Sequence, residues 1–80
     1  MVDSEKLIAA LGAILRERGL DLEEWMNEWD RDAGTELGRT KQILVPDDGQ
    51  VQDRNVRLVA DRLGISGNQF YERIISIKDE

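Results

Sequence analysis

Arg54, Arg57, Arg62, Arg73 and Lys78 place five positive charges within residues 54–78, opposed only by Asp61 and Glu72, a local balance of +3. Residues 1–53 carry the reverse, six Lys/Arg against thirteen Asp/Glu, and the whole chain has a net charge of −6. Guanidinium and ammonium groups hold polyanions by displacing condensed counterions, whereas a net negative field repels them. The basic segment therefore suits a partner that the molecule as a whole would reject. The acids have a chemistry of their own. Glu23, Glu24, Glu28, Asp30 and Asp32 lie close together, and such a face either is solvated or docks a basic protein. Trp25 and Trp29, four residues apart, fall on one side of a helix, as a core stripe or, if exposed, as interface anchors.

Other chemistries find little support. The chain has no Cys and no His, which removes disulfides, thiolate nucleophiles and the common zinc ligands. Ser4, Ser66 and Ser76 have no histidine base to activate them. Asp30 with Asp32 and Asp47 with Asp48 are neighbouring carboxylates, but acid–base catalysis needs a shared pocket, and 80 residues leave little room for one. The segment DDGQVQD lacks the alternating oxygen ligands and twelfth-position glutamate of a calcium loop. Neither an enzyme, a cofactor nor a metal is expected. The start MVDSEKL has acids where a secretory signal would be basic, and no apolar run approaches the roughly 18 residues of a membrane span, so a cytoplasmic protein without membrane contact is expected.

Positioning these side chains requires helices. Eighty residues suffice for one core. Ser4 can cap a helix whose apolar residues Leu7, Ile8, Leu11, Ile14 and Leu15 recur at three and four, ending at Gly19. Asp21, with Glu24 three residues on, caps a second helix from Leu22, with Leu20 and Trp25 as its hydrophobic staple and Gly34 as its stop. Thr35 can cap a third through Leu37, Lys41 and Leu44. VPDDGQVQD is the main loop, and a small hairpin joining Gln42–Val45 to Gln50–Gln52 is conceivable. A fourth helix starts at Asp53 or Arg54, buries Val56, Val59, Ala60 and Leu63, and stops at Gly64, with Ile65 folding back. Ser66 and Gln69 form a capping box for a fifth, lined by Phe70, Ile74 and Ile77 and flanked by Tyr71 and Ile75. The expectation is all-α, a compact bundle of about five short helices in one domain over residues 1–80.

The stretch VRLVADRLGISGNQFYERI, within residues 54–77, resembles the helix-turn-helix pattern of phage Cro and repressor proteins. With Val56 as the first position, Val59 and Ala60 match the fourth and fifth, Leu63, Gly64 and Ile65 the eighth to tenth, Phe70 the fifteenth and Ile74 the nineteenth. Ala60 keeps the crossing close, Gly64 permits the turn, and Ile65 and Phe70 fill the wedge. The resemblance implies that Ser66, Asn68, Gln69 and Arg73 face the major groove, with Arg57 and Arg62 as neighbouring cations; Asn and Gln pair with adenine and Arg with guanine. A wider resemblance, to the lambda-repressor-like fold, rests on LGAILRERGLDLEEW as the first helix and start of the second, and on PDDGQVQDRNVRLVADRLGISGNQFYERI as the last loop and two helices. It implies a different reading helix, Thr35 to Leu44, with Thr35, Arg39, Thr40 and Lys41 outward. This chain departs from that family in the middle, where Gly34 comes about one turn late.

Two functions follow as expectations. One is a small DNA-binding regulator, homodimeric because single units of this type gain affinity from two half-sites; local charge favours the C-terminal reading helix. The other is an acidic helical module that docks a basic protein through Glu23, Glu24 and Glu28 beside Trp25 and Trp29. A purely structural dimer on the tryptophan stripe is the third.

Overall fold

Each amphipathic segment needs another to cover its apolar stripe, and the computed structural model, which describes residues 1–77, shows how they pair. The order is β1 (Val2–Asp3), α1 (Ser4–Glu17), α2 (Leu22–Ala33), α3 (Arg39–Leu44), β2 (Gln50–Val51), α4 (Asp53–Leu63) and α5 (Gly67–Ile75). The architecture is essentially all-α, five helices with one two-stranded ribbon. α1 supplies the centre. Its Leu7, Ala10, Leu11 and Leu15 are fully buried, and Met26, Leu44, Val51, Val56, Val59, Ala60, Leu63, Phe70 and Ile74 close a single cluster around them. Each large side chain so buried contributes roughly 1.5–3 kcal/mol. α5 packs on α1 and α4, and α3 mainly on α2. No helix of the described residues is long and apolar enough to cross a membrane.

The local signals for α2, α4 and α5 are matched closely. Asp21 accepts from the Glu24 amide at 3.0 Å and α2 starts at Leu22. Gly64 takes φ 76°, the left-handed conformation that ends α4, and the Ile65 amide returns to the Ala60 carbonyl at 3.1 Å. Ser66 and Gln69 exchange both bonds of the capping box, at 3.0 and 3.1 Å. α5 ends at Ile75, which is 78% exposed, so Ile77, expected to line this helix, instead lies two residues past its end, half-buried against the core.

Three expectations are corrected. α1 is capped by Asp3, not Ser4; the Asp3 carboxylate accepts from the Glu5 amide at 2.8 Å, and Ser4 is a buried first-turn residue. A carboxylate outside the first turn also complements the helix dipole, which a hydroxyl does less well. The ribbon does not join 42–45 to 50–52: Val2 pairs with Val51 and Asp3 with Gln50, antiparallel. Residues 42–44 are helical, and β2 finds its partner at the far end of the chain, where Val51 gains a buried seat and the Ser4 amide reaches the Gly49 carbonyl at 2.9 Å. Finally, α3 is six residues rather than ten and is not capped by Thr35. Gly38 precedes it at φ 95°, and Leu37 stands outside it, 65% exposed. The cause is Asp30.

Candidate nucleic-acid interface

Asp30 was expected on a solvated acidic face; it is instead 1% exposed. Four residues after Met26, it lies on the buried stripe of α2 and points toward the start of α3. One carboxylate oxygen accepts from the Thr40 hydroxyl at 2.6 Å, the Thr40 amide at 2.9 Å and the Thr35 hydroxyl at 3.4 Å, and the other from the Gly38 amide at 2.9 Å. A buried charge is tolerated only when donors satisfy it, and these do: among the described residues no buried side-chain polar atom lacks a partner. The Thr40 hydroxyl, ahead of the burial that opposes it, holds the Asp30 carboxyl below the ordinary carboxylate range, with the Thr40 and Gly38 amides adding to the effect. The carboxylate thus does what a capping side chain would do for α3, from another helix.

This joint decides the fate of the residues expected outward on α3. Thr35, Arg39 and Lys41 are exposed. Thr40 is not; at 5% exposure it is held inside by Asp30, and its outward assignment is corrected. Gln42 is exposed beside Thr35 and Arg39 around a depression of about 420 Å³. Neither Arg39 nor Lys41 has an ion-pair partner among the described residues.

At the α4–α5 pair the side chains expected to meet bases are well presented: Ser66, Asn68 and Gln69 are exposed. Part of Gln69 is committed, because its Oε1 accepts from the Ser66 amide. The cations are differently placed. Arg73 donates to both carboxylate oxygens of Glu17 on α1, at 3.3 and 2.5 Å, which lowers the Glu17 pKa and raises that of Arg73. Arg62 donates to Asp32 on α2 at 2.5 Å and lies over the Trp29 ring, 5.6 Å from its centroid. Arg57 is exposed on α4, close enough to Asp53 to help lower its pKa after the Met1 ammonium and the Tyr71 hydroxyl, which both donate to that carboxylate. Lys78 lies outside the described residues.

Exposed ion pairs are weak, about 0–1 kcal/mol, and a phosphate could replace either carboxylate. The acids would nevertheless remain beside any polyanion held there. Two of the guanidiniums that made residues 54–78 locally positive are therefore cancelled by Glu17 and Asp32, which lie far from them in sequence.

On α2, Glu23, Glu24 and Glu28 are exposed without an ion pair among the described residues. Trp25 and Trp29 are half-buried, packed on the core and against each other edge to face, with centroids 5.4 Å apart. Asp30 was the residue the sequence reading missed, and its signal was phase: an acid on the Met26 stripe, followed five and ten residues later by threonines able to satisfy it. Comparison of the chain with protein-family models, with curated proteins and with solved structures finds no match.

Proposed function

We propose that the protein is a small regulator that binds double-stranded DNA through the α2–α3 corner, with Thr35, Arg39, Lys41 and Gln42 turned toward the duplex. The observation that carries this reading is the contrast in charge: both cations of α3, Arg39 and Lys41, are exposed and unpaired among the described residues, while on the α4–α5 pair Arg62 and Arg73 are paired with Asp32 and Glu17 and only Arg54 and Arg57, on α4, are unpaired. The Asp30 joint supports it further, since a reading helix must be held at a set angle to its scaffold. Six residues of α3 cover few base pairs, so the active species is a homodimer spanning two half-sites. The role implies a cytoplasmic location.

The test is an anisotropy titration against random duplex at two ionic strengths. Binding should weaken steeply with salt, and replacing Arg39 and Lys41 together by Ala should reduce the salt slope by about two per protomer, about four for the dimer. No retention at low salt rejects the proposal. Loss of binding in Arg73→Ala or Asn68→Ala, with the Arg39/Lys41 variant unaffected, moves the interface to α5.

A second reading is favoured by the free carboxylates of α2. An acidic module would co-purify with a cationic protein and lose it when Glu23, Glu24 and Glu28 become Gln; an unchanged complex counts against that face.

A further inference from the structure

A cleft of about 190 Å³ opens where α2, α3 and α4 meet, directly above the Asp30 joint. Trp29, Ala33, Ile43 and Leu58 form its apolar lining, and Asp30, Thr35, Arg39, Thr40 and Asn55 are its polar members. Leu58 is 51% exposed and belongs to neither the buried side of α4 nor the core cluster. Such a surface gains by being covered.

What covers it can be argued from its charges. Asp30 and Thr40 are bonded to each other at 2.6 Å, so the floor meets a ligand mainly by apolar contact, and the polar groups left to it are Arg39, Thr35 and Asn55. Asp30 borders the cleft, but its oxygens are occupied by Thr35, Gly38 and Thr40 and it is 1% exposed. Neutral donors do not cancel the Asp30 charge, but they cover it, and the exposed charge at the cleft is Arg39, unpaired among the described residues. The volume lies below the roughly 300–1,000 Å³ of ordinary ligand clefts, which limits the occupant to about one ring. We infer that the cleft binds a small hydrophobic carboxylate, its ring against Trp29 and Leu58 and its carboxylate on the Arg39 guanidinium.

The site shares Arg39 with the proposed DNA surface, so an occupant would compete with phosphate for that cation and loosen the proposed complex. Ligand binding itself does not depend on the DNA reading and is measured without DNA.

The experiment uses the full chain carrying Trp25→Phe, which leaves Trp29 as the reporting fluorophore, titrated with benzoate, benzamide and benzylamine. Benzoate should give a saturable change with a Kd on the order of 1 mM. Arg39→Gln, at an exposed position and with an unchanged melting temperature as control, should weaken it about tenfold, a typical loss for a charge-assisted bond. Ala33→Leu should abolish it by filling the cleft. No saturable response to benzoate overturns the proposal, as does equal binding of benzamide. Tighter binding of benzylamine also overturns it, and would identify Asp30 as the dominant charge. If DNA binding fails while benzoate still saturates, the DNA reading falls and this site stands.

Discussion

The α2–α3 and α4–α5 corners begin alike and are completed differently. In both, the first helix ends on a glycine in the left-handed conformation, Gly34 at φ 70° and Gly64 at φ 76°. Counting that glycine, α4–α5 closes with three residues and a cap made from its own neighbours, Ser66 and Gln69. The α2–α3 corner needs five residues and borrows the Asp30 carboxylate from the preceding helix. Charge follows the opposite order. The locally wired corner has Arg62 and Arg73 neutralised by distant acids, with Arg54 and Arg57 of α4 exposed and without an ion pair, whereas the corner wired at long range leaves both Arg39 and Lys41 unpaired among the described residues. A turn that looks like a reading motif is therefore not the same thing as a surface with charge to offer.

Six substitutions sharpen or break that contrast. Phe70→Ala should have the largest effect, about 3–5 kcal/mol by cavity formation at a fully buried site, a large part of the whole stability of a domain this small; thermal or urea unfolding measures it. Asp30→Asn comes next, with a fall in melting temperature of roughly 10 °C, because one oxygen must serve donors that two now satisfy. If α3 were held by its own propensity, that variant would melt like the parent.

Asp30 also gives the contrast a pH dependence. Its folded pKa is lowered, so its stabilisation is present above the ordinary carboxylate pKa of about 4 and is lost as pH falls through the lowered folded value. Melting curves taken downward from about pH 5 should show the parent losing stability more steeply than Asp30→Asn. Glu17 and Asp53 shift in the same direction, and for that reason the difference between variant and parent, rather than the parent's own slope, is the measurement.

Gly34→Ala and Gly64→Ala should cost about 1 kcal/mol each, since a Cβ at either position meets nothing within 4 Å and only the backbone conformation objects. Unequal costs in chemical denaturation would show that the two corners differ already at the glycine. The smallest effects belong to the surface pairs. Arg73→Ala should shift the melting temperature by about 2 °C or less, and Arg62→Ala by somewhat more, about 4 °C, because Arg62 is the less exposed and also loses its stacking on Trp29. Reversal of that order would mean that the Trp29 stack contributes nothing.

Much of the fold was legible because its determinants are local. The stripe of Leu7, Leu11, Ile14 and Leu15, the Asp21 cap, the stop at Gly64 and the Ser66–Gln69 box all act within about one helical turn, and neighbouring residues suffice to state them. The site was less legible. Thr35 looked like a cap and Thr40 like an outward residue because both are polar beside a helix start; what redirects them is a carboxylate five and ten positions earlier.

The amino-acid order determined the helical class, the boundaries of α2 and α4 and the start of α5 to within a residue, and the core of α1, because periodicity and capping operate between near neighbours. Tertiary structure decided that Val2 pairs with Val51, that Asp30 is inside, that Arg62 and Arg73 are neutralised and that Arg39 and Lys41 remain available. The physical reason is that charge and hydrogen bonding act across space, and which groups end up within 3 or 4 Å of one another is known only once the helices have packed.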